Sequence, residues 1–349
     1  MSKHKILIAL SGGVDSTVAA SLLMDDSCDV VGITMRMRDF ARSDESIEAA
    51  RDAASILGIE HHVVDLKGEF EDLVLRPFAE QYARGRTPNP CVVCNPKVKF
   101  DLLMKRMDAF GCDGFATGHY ARTQKIGEKY LLLKGRDLRK DQSYFLAMLD
   151  QKQLGRVRFP LGDLKKDQVR RLAAEKNLPA ASRKESQDIC FCPDGDYVPL
   201  VENLLGNKIP GPGDIVDLKG EILGRHQGHH KLTIGQRKGL GSLGPKPKYI
   251  VGIEADTGRV IVGDNDDLFS SALRCNHFHW ISGHPPEGEI KGILRIRYKH
   301  EGRSAAAQSG GEGVIFTFDE PVRAVTPGQA AVFYQDDVVL GGGWIDEAL

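Results

Sequence analysis

Between Lys5 and Thr117 the sequence alternates apolar runs with helical stretches, and no other feature restricts the possible folds so sharply. Lys5–Leu10, Val30–Met35, His61–Leu66 and Gly114–Thr117 read as strands. Asp15–Met24, Ser43–Leu57, Glu69–Arg84 and Lys97–Phe110 read as helices. Asp44 and Glu45 fall in the first turn of the second helix, where the helix dipole favours acids. The third helix is expected to bend or break at Pro77, which lacks the N–H that a helix interior needs. Strands joined through helices run parallel, and a parallel sheet is covered on both faces. The expected fold class is therefore α/β, with a doubly wound parallel sheet at the N-terminus.

From about Leu200 the texture changes. Gly and Pro become dense, as in "IPGPGD" and "LGSLGPKPK", and short strands are separated by turns. "YIVGIEADTGRVIVG" reads as a hairpin with Asp-Thr-Gly at its tip. "ILRIRYK" alternates strictly, placing Leu294, Ile296 and Tyr298 on one face and Arg295, Arg297 and Lys299 on the other. The expected domains are residues 1–200, a small β-rich unit at 201–277 and a β unit at 278–349.

The composition narrows the classes further. With 41% hydrophobic and 27% charged residues, the chain can bury ordinary cores. A net charge of −1 gives no global pull towards nucleic acid, so any such binding must use local patches. No run approaches the ~18 apolar residues of a membrane helix. The apolar stretch Ile6–Leu10 is too short for a signal peptide, which points to a cytoplasmic protein. The seven cysteines are an odd number, which argues against a disulfide framework. Cys28, Cys112 and Cys275 stand alone and read as small buried apolar residues.

"ILIALSGGVDST" is a buried strand, a glycine turn and a helix start. Gly12 and Gly13 let a ligand approach the backbone, and the turn presents N–H groups at the positive end of a helix dipole. Ser11 and Ser16 add hydroxyls. Asp15 cannot bind phosphate directly, so its expected role is through Mg²⁺. Gly-Lys-Ser/Thr is missing, which excludes a Walker A loop, and the Gly-x-Gly-x-x-Gly dinucleotide pattern is missing too.

The hexapeptide "SGGVDS" resembles the PP-loop of the ATP pyrophosphatases, which cleave ATP between the α and β phosphates and adenylate a carbonyl oxygen. "GRTPNPCVVCNPKVKF", "ATGHYAR", "KDQSYFL", "ESQDICF" and "TIGQRKGLG" follow in that order. Together these blocks resemble the tRNA-specific 2-thiouridylase family over nearly the whole chain. The resemblance implies a PP-loop domain, a small central domain and a C-terminal β-barrel. It implies thiolation of the wobble uridine, U34, in tRNAs for Lys, Glu and Gln, with release of AMP and pyrophosphate. It also implies an ATP site of Ala9, Leu10, Ser11, Gly12, Gly13, Val14, Asp15, Ser16, Met35 and Gly118. It implies tRNA contacts by His119, Lys140, Asp141 and Gln142. Two basic runs agree with an RNA partner. Residues 151–184 hold ten Lys or Arg against three acids, and Lys134–Lys140 holds four against one. The Arg295, Arg297 and Lys299 face is a third candidate.

By the same resemblance Cys94 is the catalytic cysteine and Cys190 carries sulfur as a persulfide. Cys94 then frees the sulfur by forming a disulfide with Cys190. Each role needs a thiolate, so a neighbouring cation is expected to lower the thiol pKa, with Lys97, Lys99, Arg183 and Lys184 as candidates. The sequence departs from many family members at Cys91, where they carry Asp. Related tRNA-thiolating enzymes hold a [4Fe–4S] cluster on three such cysteines, so Cys91, Cys94 and Cys190 are candidate cluster ligands. A Cys₄ zinc site including Cys192 is a further reading. The sulfur donor, whether a desulfurase, a relay protein or hydrosulfide, is left open, as is the oligomeric state. Two other functions compete: an amide- or amidine-forming PP-loop enzyme, and a non-catalytic RNA-binding protein held together by zinc. The first does not explain the cysteine blocks, and the second does not explain "SGGVDS".

Overall fold

β1 (Lys5–Ala9) is apolar on both sides, and Ile6, Leu7 and Ile8 are fully buried. Ile6 and Ile8 enter one core and Leu7 enters another, so helices cover both faces of its sheet. The computed structural model describes residues 4–39, 41–178, 189–192, 194–311 and 313–349. α1 (Val14–Asp25), β2 (Asp29–Arg36), α2 (Ala41–Leu57) and β3 (Glu60–Asp65) follow. Next comes a continuous helical passage: α3 (Lys67–Phe70), a π turn at Glu71–Leu75, and α4 (Arg76–Ala83).

The chain does not break at Pro77. The π turn ends two residues earlier, at Leu75, and Pro77 occupies the first turn of α4, where a missing N–H costs little. The same device recurs at Pro96. α5 (Pro90–Cys94) passes directly into a π segment at Asn95–Leu102, again with proline at its start. The helix expected over Lys97–Phe110 is thus a π segment followed by turns and a 3₁₀ turn at Asp108–Phe110. π turns inside helices concentrate at functional sites.

β4 (Gly114–Ala116), the hairpin β5 (Ala121–Ile126) and β6 (Lys129–Lys134), and the short helices α6 (Ser143–Leu146) and α7 (Gln151–Leu154) come next. β7 (Val157–Arg158), α8 (Lys166–Glu175) and α9 (Val198–Leu205) follow. The first sheet has strand order β3-β2-β1-β4-β7, and all four pairings are parallel. The chain winds outward from β1 to β3 and then returns to the other side of β1. The switch point therefore lies between β1 and β4, at their C-terminal ends, where such sheets bind ligands.

The central unit is a four-stranded sheet of β8 (Gly213–Val216), β9 (Ile222–His226), β10 (Tyr249–Glu254) and β11 (Arg259–Gly263). β10 and β11 form the expected antiparallel hairpin. β12 (Phe269–Trp280), β13 (Glu289–Arg295), β14 (Arg303–Gly310), β15 (Gly313–Arg323), β16 (Ala330–Gln335) and β17 (Val338–Ala348) make the last sheet. Pairing of β12 with β17 closes these six strands into a barrel. β12 starts at Phe269 and so runs across the expected border at 277/278. The hairpin β5–β6, from the first unit, adds itself to β17 through Val338↔Leu133 and Val339↔Leu132. One hydrophobic core runs from Leu7 and Phe100 to Ala330, Val332 and Val339, so the catalytic sheet and the barrel share packing.

Candidate active site

The phosphate loop leaves β1 at the switch point. Thr34 on β2 donates its hydroxyl to the Leu10 carbonyl at 2.8 Å, and the Leu10 N–H donates to the Ile33 carbonyl at 2.9 Å. Gly12 has φ +71, and a Cβ there would lie 2.6 Å from Ala49 Cβ and 2.7 Å from the Ser46 carbonyl oxygen, so α2 admits only glycine. Ser16 Oγ accepts the Ser11 N–H and donates to the Gly13 carbonyl, both at 3.1 Å. Gly13 is the N-cap of α1 and supplies no side-chain cap, so the anion-binding end of the helix is not blocked by its own side chain. A Cβ at Gly118 would lie 2.8 Å from the Asp15 carbonyl carbon and from the Ser16 nitrogen, so the end of β4 lies against this loop. Met35 is at the C-terminal end of β2, paired with Val64. Ala9–Ser16, Met35 and Gly118 thus gather at one edge of the sheet.

Asp15 is already engaged. Lys166 Nζ donates to both its carboxylate oxygens at 2.8 Å, and the Tyr120 hydroxyl donates to Oδ1 at 2.7 Å. In this state the carboxylate answers an ammonium rather than standing open to Mg²⁺, as its position in the sequence had suggested. Lys166 and Tyr120 carry no motif of their own. In sequence Lys166 is one member of a basic run, indistinguishable from Lys165.

The cysteine helix stands beside this edge. Cys94 is buried and Cys91 half-buried. Asn95 Nδ2 donates to the Cys91 carbonyl at 3.0 Å and ties the π segment back onto α5. Burial pushes the Cys94 thiol up to about 12 and the Cys91 thiol up to about 11. Lys99 opposes both shifts but is outweighed. The expected lowering of these pKa values is therefore reversed: desolvation of a thiolate exceeds the attraction of one half-buried ammonium. Cys190 is exposed as a residue, yet protein atoms around its sulfur raise its pKa too, against Lys99 and then Arg38. Cys91 and Cys94 each feel Cys190, so the fold does bring the distant third cysteine to the pair.

Of the four expected cations, Lys99 acts on all three thiols, while Lys97 is exposed and acts on none of them. Arg183 and Lys184 lie outside the described residues, as does the larger part of "ESQDICF". Arg38 was not foreseen. Its Nη1 donates to the Phe191 carbonyl at 3.3 Å, next to Cys190. Cys192 is buried in the apolar core, where burial raises its thiol to about 11. Among the described residues no three Cys, His, Asp or Glu side chains gather closely enough to hold a metal ion. Cys112 and Cys275 are buried as expected, while Cys28 is half-buried and receives Arg158 Nη1 at 3.5 Å.

His119 links the two halves. It follows Gly118, which abuts the phosphate loop. Its Nδ1 is 2.8 Å from Thr117 Oγ1, and its ring packs near Phe100 and Phe159. Burial first, and Lys99 second, hold its pKa well below the usual histidine range, so the imidazole is neutral at pH 7. The Lys140–Gln142 stretch is fastened to the residue after it. Gln142 Oε1 accepts the Tyr120 N–H at 3.0 Å, and the Gln142 N–H donates to the Tyr120 carbonyl at 2.9 Å.

Asp141 does not face outward. It is 3% exposed, and it accepts the Gly135 and Ser143 N–H groups at 3.1 Å, the Ser143 hydroxyl at 3.0 Å and Arg295 Nη1 at 3.3 Å. It shapes the loop rather than offering itself to RNA. Arg295 is corrected with it. β13 ends at Arg295, the alternation of "ILRIRYK" does not continue as strand, and the guanidinium turns inward among Tyr144, Tyr298 and Tyr334.

No helix among the described residues is long and apolar enough to cross a membrane. The family model described as "tRNA methyl transferase HUP domain" matches residues 4–194. Those described as "tRNA methyl transferase PRC-barrel domain" and "Aminomethyltransferase beta-barrel domain" match residues 200–264 and 270–345. The chain is 47% identical to the tRNA-specific 2-thiouridylase MnmA of Syntrophotalea carbinolica, over 99% of each chain. It is 44% identical to the protein of the same name from Geotalea uraniireducens, over 99% of this chain and 96% of that one. Among solved structures, the U34-tRNA thiolase NcsA from Methanococcus maripaludis with its [4Fe–4S] cluster overlaps 60% of this chain and 68% of its own, at 21% identity and a TM-score of 0.38.

Proposed function

Because the chain belongs to the tRNA-specific 2-thiouridylase family, we propose that its ATP site lies at Ala9–Ser16, Met35 and Gly118, and that sulfur reaches the base through Cys190 and Cys94. The protein is an ATP-dependent tRNA-uridine 2-sulfurtransferase acting on the wobble uridine. The uridine O2 attacks the α-phosphorus of ATP, pyrophosphate leaves, and the C2–O bond becomes a C2–O–AMP bond that breaks readily. The terminal sulfur of a Cys190 persulfide attacks C2 and AMP departs. The Cys94 thiolate then attacks Cys190 Sγ. A Cys94–Cys190 disulfide forms, the persulfide S–S bond breaks, and its terminal sulfur stays on C2 as the thiocarbonyl. A dithiol reductant resets the disulfide, and a persulfide on a desulfurase or relay protein reloads Cys190: the Cys190 thiolate attacks the donor's outer sulfur and the donor's thiol leaves.

The observation that carries this reading is a contact: Gly118 lies against the phosphate loop, and His119, which follows it, packs near Phe100 of the π segment that continues the cysteine helix. Lys99, on the same segment, bears on all three thiols and on His119. One ammonium thus joins the sulfur-bearing residues to the adenylating edge. His119, Lys140 and Gln142 border that edge and serve as tRNA contacts, with tRNAs for Lys, Glu and Gln as substrates and the cytoplasm as the compartment. The domain border near 200 belongs to the same reading, whereas the second border falls before Phe269, where β12 begins.

A second reading rests on Cys91, which feels Cys190 and is in turn felt by Cys94. Three soft thiolates suit a [4Fe–4S] cluster chemically. The side chains as they stand do not form such a ligand set, so no step is assigned to a cluster. Iron and acid-labile sulfide in anaerobically purified protein separate the two readings. Iron-free protein that thiolates a tRNA transcript with a persulfide donor supports the first, and iron that is lost with activity in Cys91→Ala supports the second. The proposed function itself is tested by pyrophosphate release from ATP and by 2-thiouridine in the digested transcript. Failure to form either product with wild-type protein overturns it.

A further inference from the structure

Arg295 ends β13, where it pairs with Val332 of β16, and its side chain is 16% exposed. Its guanidinium bonds in two directions. Nε donates to the His300 carbonyl at 2.9 Å and Nη2 to the Tyr298 carbonyl, so it holds the turn at 297–300 that leaves its own strand. Nη1 donates to Asp141 Oδ2 at 3.3 Å, in the loop that follows β6. The rings of Tyr144 and Tyr334 wall the pair, with centroids 5.6 and 5.8 Å from the guanidinium carbon. The two oxygens of Asp141 have separate duties. Oδ1 accepts the Gly135 and Ser143 N–H groups and closes the loop upon itself. Oδ2 accepts the Ser143 hydroxyl and Arg295. One oxygen therefore sets the shape of the loop, and the other sets where the loop stands relative to the barrel. Adhesion of the two units does not need this pair, because Leu132, Tyr144, Ala330, Val332 and Val339 already share one apolar core. A buried ion pair adds little net stability, and the planar fork of arginine adds direction.

We propose that Arg295 is a positioning residue for tRNA: from the barrel, it fixes the loop that carries Lys140 and Gln142 against the turn at 297–300, so that both segments meet one RNA at a set spacing. It acts through Asp141 and through the turn, not on the base. Gln142 bonds the Tyr120 backbone on both sides, so the oriented loop is also tied to the residue after His119, at the adenylating edge. The turn on the other side carries Arg297 and Lys299. A surface made of two segments binds well only when neither has to be ordered by the ligand, because ordering on binding is subtracted from affinity. The barrel thus does more than add surface: it arranges a contact that belongs to the N-terminal unit.

The inference rests on the tRNA-thiolating reading above, and its test separates the two. The full chain carrying Asp141→Asn and Arg295→Met together loses both buried charges at once and keeps the oxygen that closes the loop, so its cooperative melt stays close to that of wild type. Thiolation is followed with the tRNA transcript varied at saturating ATP and persulfide donor. The KM for tRNA rises by about tenfold in the double variant while kcat stays within about threefold. A KM raised by less than about threefold overturns the proposal, since a merely structural pair is relieved by removing both charges. A fall in kcat with KM unchanged overturns it too. If the double variant loses its cooperative melt, Arg295→Lys carries the test: an ammonium keeps the charge without the fork and raises KM by at least about threefold, whereas a wild-type KM overturns the proposal. Absence of 2-thiouridine with the wild type would instead strike the proposed function, and the loss of tRNA affinity in the double variant would still be read by filter binding.

Discussion

The phosphate loop and the cysteine site lie side by side, yet they are built in opposite ways. The loop is one contiguous stretch, Ala9–Ser16, fixed by the strand before it and the helix after it, and its hydroxyls already bond within it. The sulfur site is composite. Cys94 ends a short helix that passes into a π segment, and Cys190 arrives from a part of the chain nearly a hundred residues on. Under the proposed function the loop is a preformed receptor for a large anion. The cysteines are held as neutral thiols by burial and must be deprotonated in use. A site that binds can be preformed, whereas a site that must pass an atom on keeps its nucleophile in reserve.

The largest expected effect is at the loop. Asp15→Asn removes the loop carboxylate that pairs with Lys166 and should lower pyrophosphate release and thiolation together, by about 10²–10³-fold. Unequal losses would show that the loop and the sulfur site do not act in strict succession. Lys99→Met acts on the other region. It removes the cation that favours the Cys94 thiolate, so thiolation should fall by about tenfold while pyrophosphate release stays within twofold. An equal fall in both would mean that Lys99 serves the nucleotide.

The pH dependence sharpens the same contrast. Below a thiol pKa of about 12, the Cys94 thiolate fraction rises about tenfold per pH unit. Single-turnover sulfur transfer should therefore climb with pH from 6 to 9, while adenylation does not follow that slope. A flat profile for sulfur transfer would place the thiolate in a different environment.

Two smaller effects concern the stretch from Lys134 to Gln142, proposed above to face tRNA. Asp141→Asn breaks the buried pair with Arg295 and should cost about 3 kcal/mol in urea unfolding. Arg139, with 78% of its side chain exposed, is a phosphate-contact candidate. Arg139→Ala should reduce the log–log salt slope of tRNA binding by about 0.7. A slope unchanged by this variant removes Arg139 from the interface.

The contiguous region was legible in the sequence because strand, glycine turn and helix follow one another within twelve residues. The alternation to Thr117 likewise announced the parallel sheet, since each strand must be buried on both faces. The composite region was legible only as residue types. Spacing placed Cys91 beside Cys94, but only the fold brings Cys190 to them, and only burial decides that their thiols are raised rather than lowered. The chain does not break at Pro77 because the proline falls in the first turn of α4, after a π turn that no propensity marks. Arg295 was misread because alternation does not say where a strand stops. Lys166 could not be told from Lys165 until α8 was placed against the phosphate loop.

On the proposed function, an adenylating loop and a sulfur-transferring cysteine site act in succession on one base. Cys94→Ala tests it most directly, with pyrophosphate and 2-thiouridine measured in the same reaction with ATP, a tRNA transcript and a persulfide donor. The account predicts tRNA-dependent pyrophosphate release within a few-fold of wild type and no 2-thiouridine. Loss of pyrophosphate release along with thiolation, or 2-thiouridine formed at the wild-type rate, would contradict it.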